Sequence, residues 1–184
     1  MKILVDLDGV IFQTYEVVGK LYKEKFNKVL DWDKVKDGNK FWDSKYGKFL
    51  VKCFEDYELN ANLLIREDAP KVLQALIKKH KIFYCTARRP INFGATHDSF
   101  KKYGIPFSDI NLIMRNGDIP FKKERNAVGC QADLAIDDEW ENVVALAEVC
   151  PVIYFKKEGA DICLKYKYPI IRADNWKQIK KILL

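Results

Sequence analysis

Short runs of aliphatic residues recur along the chain and alternate with stretches of helical periodicity. This alternation limits the fold more than any other feature. The runs fall at 2–7, 81–85, 110–114, 134–136 and 152–155, with a shorter sixth at 170–171. Each is apolar on both faces, as strands of a parallel sheet are when helices cover both sides. Between the runs, Val72, Leu73, Leu76 and Ile77 share one helical face after Asp68, an expected N-cap, with Pro70 tolerated in the first turn. A helix over 91–102 is expected to stop at Tyr103-Gly104-Ile105-Pro106. Further helices are expected over 123–128, ended by Gly129, and over 139–148, with Val143, Val144 and Ala147 inward. A last one follows Asp174 as cap, with Trp176, Ile179 and Leu183 at i, i+3 and i+7. The pattern predicts a doubly wound, Rossmann-like α/β fold, a parallel sheet flanked by helices.

One stretch breaks the alternation. Roughly 55 residues separate the first run from Asp68, too many for a crossover. They read as helical near 13–29 and 40–55, and the stretch holds eleven of the 24 aromatic residues of the chain. The expected division is a core of residues 1–12 and 67–184 and a small helical cap of residues 13–66 inserted after the first strand.

Composition narrows the class further. With 184 residues, 48% hydrophobic and 32% charged, the chain can bury a sizeable core, and a disordered or low-complexity chain is excluded. No apolar run approaches the roughly 18 residues of a membrane span. Asp6 and Asp8 arrive too early for a signal peptide. A cytoplasmic protein without a membrane partner is the expectation. The five cysteines (53, 85, 130, 150 and 163) and two histidines neither cluster nor form a CxxC, so they read as reduced, small apolar residues rather than a zinc site. The net charge of +6, with a mild cluster at Lys156, Lys157, Lys165 and Lys167, fits a solvated lysine-rich surface, or one that faces nucleic acid, acidic lipid or a small phosphorylated substrate; the charge alone does not choose among them.

In a doubly wound sheet the site lies at the carboxyl ends of the strands. The first strand ends Asp6-Leu7-Asp8-Gly9-Val10. Acids two apart on a strand end point the same way, and like charges at close range need a cation. They read as a nucleophile and an acid/base around a hard metal, or else as an Asp-rich surface turn. The second strand ends in Thr86-Ala87-Arg88, a hydroxyl followed by backbone N–H groups that can cradle phosphate. The fourth ends in Asp137-Asp138, with Asn142 beyond. Alone, that pair fits a magnesium pocket and the acidic start of a helix equally well. Lys122 and Lys123 precede it.

Taken in order, an acid pair, a hydroxyl, a lysine and a second acid pair resemble the four motifs of the haloacid dehalogenase-like (HAD) superfamily. They are DLDGV at 6–10, Thr86, Lys123 with Lys122 as competitor, and Asp137, Asp138 and Asn142. Within it, the chain is similar to the 5′(3′)-deoxyribonucleotidase family in DLDGVIFQT, the aromatic cap, the Thr-Ala-Arg and Ile-Asp-Asp segments, and RADNWKQI after the last strand. The resemblance implies a Mg²⁺-dependent phosphomonoesterase acting on a nucleoside monophosphate. Asp6 would become phosphorylated. Asp8 would serve as acid and then base, its carbonyl also meeting the metal. Asp138 would bind Mg²⁺ directly, with Asp137 and Asn142 beside it. Thr86 and the Ala87 N–H would hold the phosphoryl oxygens, and Lys123 would steady both.

Arg88 would face the phosphate or ribose, or be a surface charge. Phe12, Phe41 and Trp42 would stack on a base, or fill the cap's own core. The competing functions are a phosphatase for another metabolite such as a sugar phosphate, a nucleic-acid 3′-end phosphatase, and a non-catalytic binding module. The cap's length argues against a nucleic-acid partner, and the intact acids argue against the binding module. A homodimer stays open.

Overall fold

A computed structural model describes residues 1–36, 39–116, 121–156 and 166–184. Lys157, Cys163 and Lys165 of the sequence reading lie outside them. The six apolar runs form one parallel sheet: β1 (Lys2–Val5), β2 (Lys81–Thr86), β3 (Leu112–Met114), β4 (Leu134–Asp137), β5 (Val152–Phe155) and β6 (Ile170–Ala173), in the order β3-β2-β1-β4-β5-β6. The strand bearing the first acid pair is therefore central, with β2 and β4 on either side.

Successive side chains point to opposite faces, so each strand feeds two cores. Ile3, Val5, Tyr84, Ile136 and Ile153 pack on one side against α6 (Ala69–Leu76), α7 (Phe93–Tyr103) and α10 (Trp176–Leu183), through residues such as Leu73, Phe100 and Ile179. Leu4, Cys85, Ala135 and Tyr154 pack on the other against α8 (Lys123–Cys130) and α9 (Trp140–Leu146). Cys53, Cys85, Cys130 and Cys150 are free thiols, and the first, second and fourth are buried.

Between β1 and α6, the described residues form five helices: α1 (Thr14–Phe26), α2 (Trp32–Lys36), α3 (Asn39–Asp43), α4 (Lys45–Glu55) and α5 (Tyr57–Ala61). They enclose their own cluster around Val18, Tyr22, Leu50 and Cys53. The helix expected over 40–55 is two. Ser44 interrupts it and caps α4 by accepting the N–H groups of Tyr46 and Gly47.

Other helix ends differ from the sequence reading for local reasons. Asp68 adopts a left-handed conformation and makes no side-chain cap; its carboxylate lies 3.6 Å from Lys177. Asn175, rather than Asp174, caps α10 by accepting the Gln178 N–H, while Asp174 pairs with Arg172. Helix α8 runs through Gly129 and ends at left-handed Gln131. The expected stop at Gly104 holds: its φ of 62° is the left-handed conformation that a helix C-terminus favours.

The C-terminal helix reaches back to the first motif. Trp176 is 1% exposed, and its indole N–H donates to the Val10 carbonyl at 2.9 Å. Replacing it by Phe keeps most of the packing but removes the donor from a buried carbonyl. Trp176→Phe should lower the unfolding free energy by about 1–3 kcal/mol in urea denaturation.

Candidate active site

The register that pairs Val5 with Ile136 continues past β1, where the Asp6 N–H donates to the Ile136 carbonyl at 3.0 Å. Asp6 therefore sits beside Asp137, on the face covered by α8. The first turn of that helix carries Lys123, 5% exposed, whose Nζ lies 2.9 Å from Asp6 Oδ1 and 2.6 Å from Asp137 Oδ2. Lys122 is the exposed residue preceding the helix, so the two lysines are told apart by direction. Asp138 completes the group: oxygens of Asp6, Asp137 and Asp138 all lie within 4.8 Å of one another. Asn142 donates to Asp137 Oδ1 and to Glu139 at 3.0 Å.

The close approach of the first and fourth motifs depends on Gly9. Its φ is +87°, and a Cβ there would stand 1.9 Å from Asp138 Oδ2. No other residue could occupy this turn without displacing the Asp138 carboxylate.

Charge in this space is unbalanced. Burial, then the neighbouring carboxylates, raises the Asp6 pKa well above the ordinary value, against the opposing pull of Lys123. Burial and the charge of Asp137 push Asp138 up to about 7. For Lys123, burial disfavours the charge, but Asp137 and Asp6 more than reverse this and hold it above the usual lysine range. The Asp138 Oδ1 atom is buried without a hydrogen-bond partner. An orphaned carboxylate oxygen beside two more acids is the donor set a hard divalent cation takes. Asp6, Asp137 and Asp138 thus fit a magnesium ion.

Asp8 points elsewhere. Its carboxylate accepts from Arg88, whose Nε lies 2.9 Å from Oδ2 and whose Nη2 lies 2.7 Å from Oδ1, and also from the hydroxyls of Thr14 and Thr86. Burial alone would raise its pKa, but the Arg88 charge and these hydrogen bonds outweigh burial and hold it below the ordinary value. Arg88 is buried at 7% exposure and faces Asp8, so it is neither a surface charge nor turned to an open phosphate site. Thr86 is fully buried at the end of β2, its Oγ1 accepting the Arg88 N–H at 3.2 Å, and Ala87 is exposed beside it.

The three aromatic candidates do not share the cleft. Phe12 is fully buried, 6.0 Å from Phe100 and beneath the Arg88 guanidinium, because the turn after Gly9 folds it into the core. Phe41 packs in the helical insert's own cluster, with Trp42 against it. A cleft of about 660 Å³ opens over the strand ends and is lined by Gly9, Gln13, Tyr15, Glu16, Trp32, Asp33, Arg66, Asp138, Glu139, Phe155, Lys156 and Asp174. Tyr15 and Trp32 meet edge to face at 5.0 Å. Burial and the surrounding acids push the Tyr15 phenol well above its usual pKa, so it stays a neutral donor. The sequence reading passed over these residues. The signal was position: the first turn of a helix that leaves DLDG must face the strand ends, as Gln13, Tyr15 and Glu16 do.

A central acidic strand end, a lysine from α8 and a second acid pair on the neighbouring strand, under a helical insert, define a hydrolase of the HAD superfamily. The model of the family described as "5' nucleotidase, deoxy (Pyrimidine), cytosolic type C protein" matches residues 1–184, and the chain belongs to that family. It is a phosphoric monoester hydrolase related to the 5′-nucleotidases. YqfW of Bacillus subtilis (strain 168), whose name carries a provisional nucleotidase assignment, is 25% identical over 96% of this chain and 90% of its own length. Among solved structures, the haloacid dehalogenase-like hydrolase SP0104 from Streptococcus pneumoniae aligns at a TM-score of 0.69 with 11% identity, covering 100% of this chain and 98% of that one. The HAD-hydrolase YfnB from Bacillus subtilis, in a form bound to magnesium, aligns at 0.60 with 13% identity over 99% and 97% of the two chains. No helix among the described residues is long and apolar enough to cross a membrane.

Removing the ammonium should expose what it compensates. Lys123→Met leaves Asp6 and Asp137 buried against each other. Urea denaturation in EDTA should show a loss of about 3–5 kcal/mol, the cost of breaking a buried ion pair from one side.

Proposed function

We propose that the chain is a Mg²⁺-dependent phosphomonoesterase that hydrolyses (deoxy)ribonucleoside monophosphates through a phosphorylated Asp6. The observation that carries this reading is the buried Asp6 carboxylate, held 2.9 Å from Lys123 and within reach of the Asp137 and Asp138 oxygens. Membership of the nucleotidase family supports the substrate class.

Asp6, Asp137 and Asp138, with the Asp8 carbonyl, would hold the metal. Magnesium supplies screening there, so that a carboxylate can approach an anionic phosphoryl group. The residues do the rest. Lys123 fixes the Asp6 carboxylate and offsets its charge. Thr86 and the Ala87 N–H bind phosphoryl oxygens. As an Asp6 oxygen bonds to phosphorus, the bond to the leaving oxygen breaks with its electron pair, and that oxygen takes a proton through Asp8. Because Arg88 and the Thr14 and Thr86 hydroxyls hold Asp8 ionised beforehand, the proton is one that a phosphate monoester monoanion brings in and passes to the carboxylate on binding. Water then attacks the aspartyl-phosphate, Asp8 takes its proton, and inorganic phosphate leaves.

Residues 13–66 form the cap in this reading, and Trp32 and Tyr15 offer the aromatic surface for a base. Glu16, Asp33, Glu139 and Asp174 line the same cleft, which favours a small substrate over a polyanionic nucleic-acid chain.

A phosphate-release panel of 5′- and 3′-nucleotides, sugar phosphates and 3′-phosphorylated oligonucleotides tests the reading. Mononucleotides should be preferred, and EDTA and Asp6→Asn should each abolish turnover while the circular dichroism spectrum is unchanged. Preference for a sugar phosphate would refute the substrate class; turnover by Asp6→Asn would refute the nucleophile. Trp32→Ala should raise KM for the best nucleotide by roughly 5- to 150-fold, the equivalent of one stacked base, with Trp42→Ala near wild type.

A further inference from the structure

The guanidinium of Arg88 is committed wholly inside the protein. Nε lies 2.9 Å from Asp8 Oδ2 and 3.2 Å from Oδ1, Nη2 lies 2.7 Å from Oδ1, and Nη1 donates to Thr96 Oγ1 at 3.1 Å. The group lies over the Phe12 ring, 5.1 Å from its centroid. Phe12 and Thr96 are both fully buried. All three nitrogens thus have partners, and a packed ring and a packed hydroxyl brace the fork from behind.

A planar fork against both carboxylate oxygens fixes more than distance. It sets the carboxylate plane and the side-chain rotamer, which a single ammonium cannot do. Asp8 needs such a restraint, because the negative cluster of Asp6, Asp137 and Asp138 stands close by. Without the fork, like-charge repulsion would turn Asp8 away from the acids and from any leaving group placed among them.

We propose that Arg88 is a positioning residue for the phosphoryl transfer: it sets the orientation of Asp8, through which the leaving oxygen receives its proton, and does not bind substrate. Thr96 acts one step further back by holding Arg88. The inference rests on the proposed acid/base role of Asp8, and its test separates the two.

The measurement is steady-state kinetics on two phosphomonoesters. One is p-nitrophenyl phosphate, whose leaving group departs without a proton; the other is the best alkyl phosphate of the panel above, whose leaving oxygen needs one. Asp8→Asn, Arg88→Met, Arg88→Lys and Thr96→Val are compared with wild type. Arg88→Met should lower kcat for the alkyl ester by about 100-fold, the effect of an ångström-scale misplacement, with KM little changed. Its kcat for p-nitrophenyl phosphate should fall by less than about tenfold. Arg88→Lys and Thr96→Val should show the same split at smaller size, which keeps the test open if Arg88→Met does not fold.

Asp8→Asn should show the largest split. If it shows none, the acid/base reading fails and the inference with it. If it does, while the Arg88 and Thr96 variants show none, the positioning role alone is overturned. Equal losses on both esters with a raised KM would make Arg88 a phosphoryl ligand instead. A rise in kcat would make it a brake. Either result overturns the inference.

Discussion

Three carboxylates and one ammonium share a water-poor space at the carboxyl end of the sheet, and their charges do not cancel. At a separation of 4 Å and an effective dielectric of about 20, each pairwise interaction is worth about 4 kcal/mol, so the arrangement stands only because the backbone compels it. The β1–β4 register places Asp6 against Asp137, and the start of α8 drives Lys123 between them. Gly9 lets the first turn close on Asp138. The fold thus spends stability to concentrate negative charge, and a residual demand for a cation is the consequence, expressed in the raised pKa of Asp6 and Asp138 and in the unpartnered Asp138 oxygen.

Two arginines then divide the surroundings. Arg88 pairs with Asp8 beside the sheet, while Arg66 bonds to the Gly9 carbonyl and to Glu16, and so ties the first turn of α1 to the acidic loop. Among the described residues, Lys123 is the cation that pairs with Asp6 and Asp137. In the proposed reading, a site arranged this way would favour a hard cation and then an anion that the cation and Lys123 could share.

The sheet was legible because parallel strands buried on both faces leave an unambiguous apolar run, and β5 matches its run at 152–155 residue for residue. The acid pairs were legible because the end of such a run can point only to one edge of the sheet. Caps were not. Asp68 and Asp174 both carry the right side chain at the right place, but each is claimed by a cation: Asp68 by Lys177, more than a hundred residues on and invisible in local sequence, and Asp174 by Arg172, two residues before it at the end of β6. Arg88 and Phe12 fail the same way from opposite sides. Their chemistry suggests an open site, yet the turn at Gly9 buries the ring, and the guanidinium finds its partner in the preceding motif, 80 residues back. Side-chain type predicts the interactions a residue can make; only the closed chain decides which partner arrives first.

The helical insert is joined to the core unevenly, and the asymmetry bears on how substrate would be selected. Helix α5 is held against α7 by Tyr57 to Asp98, by Ser99 to the Asn60 carbonyl and by Lys102 to Asn62. The Asn60 amide in turn donates to the carbonyls of Cys53, Phe54 and Asp56, which fixes the end of α4. On the cleft side, the joint is polar: Gln13 donates to the Ile65 carbonyl, Thr14 to Asp8, and Arg66 to the Gly9 carbonyl and to Glu16. The wall carrying Tyr15 and Trp32 is thus joined beside the first motif through polar side chains, whereas the acids sit at strand ends and Lys123 in the first turn of α8. In the proposed reading, chemistry would fall on the strand ends and the start of α8, and recognition on the separate wall of α1 and α2, so that the wall could vary with the substrate without altering the reacting groups.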